Sequence, residues 1–186
     1  MNVQLPIHID KPAFLAWVQG REERYELARG RVVMMPGASR AHGLIVGNLF
    51  ALLRGQLDPK QWAVIVEFGL DAGPETLRFP DLVVDRAGGG ANDHVATAPV
   101  LLAEVLSPST AEIDLGDKAA EYLQLPSLLA YLVFTQSGYK AYVWAREAEA
   151  FQPAPSVIVG QDKIIRIPAL NLILPFAAVY AGVEDT

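Results

Sequence analysis

The sequence predicts an α/β fold, and three observations carry that prediction. Short apolar and β-branched runs at 62–70, 82–85, 101–106, 130–135 and 141–145 have the length and composition of strands. Other segments show helical start signals or helical spacing of apolar residues, notably 39–57 and the stretch from 109 towards Pro126. The run 101–106 is apolar on both faces except at Glu104, which suits a central strand covered on both sides. At 186 residues the chain has the length of one domain with a substantial core, so 1–186 is read as one unit.

Each element has its own local reason. Asp10 before Lys11-Pro12 starts a short helix with Phe14, Leu15, Trp17 and Val18 at helical spacing and Gly20 as its stop. Residues 24–27 and 31–35 flank Ala28-Arg29-Gly30 and read as a hairpin, with Glu26 inside its first strand. Ser39 caps a helix to about Leu57, in which Leu44, Ile45, Leu49, Leu52 and Leu53 form the apolar stripe and His42 falls in the first turn. Residues 62–70 form one strand, joined through a turn at Gly73-Pro74 to the strand 82–85. Residues 87–99, with Gly88-Gly89-Gly90, form a loop after it. Ser109 and Glu112 make a capping-box pattern for a helix that ends before Pro126. Residues 130–135 and 141–145 pair around Ser137-Gly138, and 157–167 form a further hairpin around Gly160.

Composition narrows the function. Hydrophobic residues make up 52% of the chain and charged ones 19%, enough apolar surface for a core and for a subunit interface, so a homodimer is expected. Fifteen basic against twenty-one acidic side chains give a net charge of −6, which argues against gripping a polyanion by bulk charge. A phosphate-bearing substrate would need local positive help, for which Arg40, Arg78 and Lys118 are the candidates. Without cysteine there is no disulfide, thiol nucleophile or zinc–thiolate site, and a cytoplasmic address is expected. The first ten residues lack a basic start followed by an apolar run, and no segment approaches bilayer-spanning length, so no membrane partner is expected.

The chemistry is concentrated in carboxylates set among apolar residues. Asp81 follows Pro80 at the entry to one strand, and Glu104 sits amid Leu101, Leu102, Ala103, Val105 and Leu106. A carboxylate in such surroundings loses hydration unless a cation or a lysine compensates it. Strand alternation puts Glu104 on the face of Leu102 and Leu106, so the two acids can converge. Two carboxylates, a carbonyl and waters suit magnesium or manganese. Asp114, Lys118 and Tyr122 recur at intervals of four, roughly on one helix face. Other motifs carry less. Gly37-Ala38-Ser39-Arg40-Ala41 lacks the last glycine of a nucleophile elbow, Ser137 and Lys140 fall in a hairpin turn, and His8, His42 and His94 are too scattered for zinc.

These residues resemble the Uma-type endonuclease family, a branch of the PD-(D/E)XK nuclease superfamily. The likeness spans about Tyr25 to Tyr180. It is carried by Tyr25-Glu26-Leu27 with Gly30, His42, Pro80-Asp81-Leu82, Glu104-Val105-Leu106-Ser107-Pro108-Ser109-Thr110, and then Asp114, Lys118 and Tyr122. The resemblance implies a restriction-endonuclease-like mixed central sheet flanked by helices, with additional β-hairpins. It further implies that Asp81, Glu104 and the carbonyl of Val105 hold magnesium or manganese, with Glu26 as a third carboxylate. The superfamily's lysine, normally two residues beyond the second acid, is replaced here by Leu106, and Lys118 from the next helix is expected to supply the amine. The implied reaction is metal-dependent hydrolysis of phosphodiester bonds in nucleic acid, DNA first, with Asp81, Glu104 and Lys118 catalytic and His42, Asp114 and Tyr122 in support.

Plainer readings stand beside these. Glu104 and Lys118 form a structural ion pair in one. Asp114 and Lys118 make an exposed helix pair in another, the favoured reading for Asp114. Tyr122 is read first as a packed aromatic, His42 as a capping residue and Glu26 as either a ligand or an exposed hairpin residue. The rival functions are a non-catalytic nuclease-fold protein for nucleic-acid binding or oligomerisation, and a metal-dependent phosphoesterase acting on small substrates.

Overall fold

A computed structural model describes residues 8–35, 37–106, 113–148 and 150–183. The chain runs α1 (Lys11–Val18), β1 (Tyr25–Ala28), β2 (Arg31–Met34), α2 (Arg40–Gln56), β3 (Trp62–Val66), β4 (Leu70–Gly73), β5 (Thr76–Arg78), β6 (Leu82–Arg86) and β7 (Leu101–Leu106). A π-helical turn (Ile113–Asp117) then leads into α3 (Lys118–Tyr122), β8 (Ala130–Thr135), β9 (Lys140–Glu147), β10 (Ala150–Phe151), β11 (Ser156–Val159), β12 (Ile164–Ile167), β13 (Leu172–Pro175) and α4 (Phe176–Val179). The expected capping box at Ser109 and Glu112, and the whole stretch 107–112, lie outside the described residues.

The main sheet has the order β10-β9-β8-β7-β6-β3, with β11 also on β9. β7 pairs with β8 in parallel and with β6 antiparallel, so the sheet is mixed, as expected. Every residue of β7 is buried. One face packs Leu82, Val84, Leu101 and Ala103 against Ile45, Leu49 and Leu53 of α2 and Phe176 of α4. The other packs Val83, Leu102 and Leu106 with Ala119 and Tyr122 of α3. Burying a Leu or Val side chain contributes roughly 1.5–3 kcal/mol, so this strand and its neighbours can carry the cost of one buried acid between them.

A smaller sheet, β2-β1-β5-β4, is joined to the main one by the link Phe79-Pro80-Asp81 between β5 and β6. Its hairpin β1–β2 turns through Arg29 and Gly30, with φ of 50° and 75°. Positive φ at both central residues matches the twist of the flanking strands.

Three expectations need correction. Residues 62–70 are not one strand: β3 ends at Val66, Glu67 takes φ 50°, and β4 belongs to the small sheet. Gly69 passes so close to the backbone of His94 that a Cβ there would collide with its carbonyl oxygen, so the position between the two strands needs glycine. The Gly73-Pro74 turn accordingly joins β4 to β5, and β3 pairs directly with β6. Residues 157–167 are not a hairpin either, because β11 pairs with β9 while β12 pairs with β13. The caps do fall where expected: the Asp10 carboxylate accepts from Ala13 N at 2.8 Å, and Ser39 Oγ from His42 N at 3.1 Å.

Candidate active site

The β6–β7 ladder ends at Leu82 opposite Ala103. One residue further, the strands part and side chains take over the hydrogen bonding. Val105 N donates to Asp81 Oδ2 at 2.7 Å, and Asp81 N donates to Glu104 Oε2 at 3.3 Å. Pro80 contributes to the fork, since it has no N–H for a ladder. Both acids are buried, and both line one cleft with His42, Val105, Asp114 and Lys118. That cleft leaves about 50 Å³ for water-sized groups, several times what one water needs.

The α3 side closes over this fork. Lys118 Nζ donates to Glu104 Oε1 at 2.9 Å and lies 3.3 Å from both Glu26 Oε1 and Asp114 Oδ1. Tyr122 OH donates to the same Glu104 oxygen at 3.1 Å. On the α2 side, His42 Nε2 lies 3.0 Å from Asp81 Oδ2. From the small sheet, Glu26 accepts Phe79 N at 3.0 Å and Arg78 Nη1 at 3.2 Å. Arg78 then grips Glu121 with both Nε and Nη2, at 2.8 and 2.9 Å.

All eight expected site residues, Val105 among them, therefore meet. Two expectations change. Asp114 is buried at 2% exposure and is no exposed helix pair, because the face it shares with Lys118 is turned onto the sheet. Arg78 is buried between two carboxylates, so it organises the cluster rather than offering open positive charge; Arg40 stays exposed. Tyr122 does pack as expected, against Tyr131, and its hydroxyl donates to Glu104. Glu121 escaped the sequence reading, although its place three residues after Lys118 puts it on the same helix face.

The charge balance of the cluster is one-sided. Glu26, Glu104, Asp114 and Glu121 pair with two fixed cations, Lys118 and Arg78, and Asp81 adds a fifth carboxylate beside Glu104. Burial would lower the Lys118 amine, but Glu104, Glu26 and Asp114 outweigh it and hold the group above its ordinary range. Glu104 is pushed up to about 8 by burial; Lys118 opposes the rise, and Asp81, Asp114 and Glu26 add to it. The surplus negative charge can be met by a proton on Glu104 or by an added cation. Among the described residues no group of three or more His, Cys, Asp or Glu forms a ready-made metal cage. The oxygen donors fit a hard divalent ion better than zinc, and Asp81 and Glu104 are the pair nearest the strand fork. Val105, expected to offer its carbonyl, is seen here through the N–H it gives Asp81.

A model of the Uma2 family, described as "Putative restriction endonuclease", matches residues 12–177. An uncharacterized protein of Synechocystis sp. (strain PCC 6803), sll1609, is 32% identical over 123 residues, covering 63% of this chain and 70% of that protein. A second from the same organism, slr1290, is 29% identical over 135 residues, 67% of each chain. In fold, the chain is similar to a crystal structure described as a "putative nuclease belonging to DUF820" from Anabaena variabilis. That match has a TM-score of 0.79 and 16% identity and covers 95% of this chain and 99% of the other.

Proposed function

Because the chain belongs to the Uma2 family of restriction-endonuclease-like proteins, we propose that it is a magnesium- or manganese-dependent endonuclease that hydrolyses phosphodiester bonds in nucleic acid, with DNA as its substrate. The observation that carries this reading is the meeting of Asp81 and Glu104 at the fork of β6 and β7, with the Lys118 amine 2.9 Å from Glu104. In it, Asp81 and Glu104 would hold the ion, with the carbonyl of Val105 and the Glu26 carboxylate as further donors. A bound divalent ion would supply charge stabilisation and a more acidic water. His42 and Val105 N fix the rotamer of Asp81, and Tyr122 and Lys118 fix that of Glu104. With a cation held there, Lys118 would be freed in part from Glu104 to orient a water or neutralise a phosphate oxygen. In this reading the amine comes from α3, because the strand carries Leu106 where the superfamily has its lysine. A cytoplasmic homodimer belongs to the same reading, supported by the absence of cysteine and by exposed Val157, Val159, Ile164 and Ile173.

The test compares wild type with Asp81→Ala and Glu104→Ala on single-stranded, duplex and branched DNA in magnesium and in manganese. Calorimetric titration with manganese should accompany it. Cleavage and manganese uptake that both need the two acids support the reading; a folded wild type that does neither defeats it. The direct Lys118–Glu104 bond favours one alternative, a non-catalytic nuclease fold stabilised by an internal ion pair. That alternative expects both variants to lose stability without any change in manganese uptake.

A further inference from the structure

Next to the carboxylate cleft lies a second cavity of about 250 Å³ with apolar walls from Val18, Tyr25, Met35 and Phe79. Arg24 and Met35 line both, so the two spaces adjoin. The polar groups of the second cavity include Arg24 and Glu67, which are paired with each other. Glu67 holds φ 50°, a left-handed conformation uncommon for a residue with a Cβ, at the break between β3 and β4. Such outliers cluster where a ligand is handled. The volume is below the roughly 300–1,000 Å³ of pockets that enclose whole drug-sized ligands, a size for one ring system rather than a base pair.

We propose that this cavity receives one unpaired nucleobase of the strand whose phosphate lies at Asp81 and Glu104, so that the protein selects single strands or unpaired nucleotides over intact duplex. The inference rests on the nuclease reading and names its substrate class. Aromatic and thioether walls suit the faces of any base, which gives a grip that does not depend on sequence. Arg24 and Glu67 bring donors and an acceptor to the base edge once their mutual pair opens. An acidic protein gains most from such a grip, because its net charge of −6 gives no general hold on phosphates.

The experiment titrates the full chain, with calcium as the divalent ion, against three labelled DNAs: a single strand, a blunt duplex, and that duplex with one unpaired nucleotide. Each carries 2-aminopurine at the equivalent position. The single strand and the interrupted duplex should bind at least about fivefold tighter than the blunt duplex, the lower end of what stacking one base contributes. The 2-aminopurine emission should change only with these two. Val18→Trp, which fills the cavity, and Phe79→Leu, which removes an aromatic wall, should each abolish both effects while manganese uptake stays as in wild type. If Val18→Trp fails to fold by circular dichroism, Phe79→Leu decides. Equal binding of all three DNAs by wild type, or a preference kept in the folded variants, overturns the proposal. A preference for unpaired bases in a protein that takes up no manganese and cleaves nothing would instead keep the pocket and sink the nuclease reading.

Discussion

Asp81 and Asp85 stand at the two ends of β6, both buried, yet they are built into opposite kinds of surroundings. Asp85 accepts Ala98 N and Thr97 N at 2.8 Å each, on different oxygens, with Thr97 Oγ1 at 3.4 Å. Main-chain donors thus meet both of its oxygens, and the carboxylate fastens the loop before β7 to the strand. Asp81 takes Val105 N and His42 on a single oxygen and stands beside Glu104. Burial alone therefore does not mark a functional acid. What separates the two is whether neutral donors close the charge off or other carboxyls leave it in excess.

The sharpest way to break this contrast is activity. Asp81→Ala and Glu104→Ala should each lower cleavage by about 10³-fold or more, the loss expected when a group acting in the transition state is removed. Asp85→Asn should leave manganese uptake unchanged, and a cleavage loss in that variant matching Asp81→Ala would erase the distinction. Next comes the lysine. Lys118→Met strips the cluster of its central cation and should cost about 3–5 kcal/mol by urea unfolding, with much of the loss recovered in Lys118→Met/Glu104→Gln. If the double variant is no more stable than the single one, the two groups are not balancing each other. Asp85→Asn should itself cost about 1–3 kcal/mol, since one oxygen's worth of acceptors becomes a donor facing main-chain N–H groups.

A smaller effect concerns pH. The Glu104 carboxyl holds its proton to about 8 when folded, against 4.5 as the ordinary value. The folded chain then binds more protons than the unfolded one across that window, so this group's contribution to stability falls as pH rises from about 4.5 to about 8. Thermal unfolding of the metal-free wild type should therefore lose ground to Glu104→Gln over that range. Parallel curves for the two proteins would show that Glu104 is already ionised at the lower end.

The elements readable from the chain were those with a local cause. Ser39 and Asp10 mark helix starts through their own side chains, Arg29-Gly30 turns a hairpin, and the unbroken apolar run of β7 announces a strand covered on both faces. Glu104 could be placed on the Leu102 and Leu106 face because strand alternation is strict. Partner choice was not legible. Gly160 does make a turn, but nothing near it says that β11 joins β9 and β12 joins β13. The left-handed backbone at Glu67 and the approach of His94, far along the chain, to Gly69 leave no local mark in the sequence. In the site, the spacing of Asp114 and Lys118 gave their shared face but not what covers it, so a buried pair read as an exposed one. Arg78 and Glu121 lie on a strand and a helix whose contact exists only after folding.

The tether between the two sheets has a mechanical implication. Arg78, Phe79 and Asp81 fall within four consecutive residues, so the clasp on Glu121, the aromatic wall and the fork acid are ganged on one rigid strap. Lengthening that strap by a single residue would shift all three out of alignment at once. Tinkering by insertion should therefore be far less forgiving at Pro80 than in the long loop that follows β6.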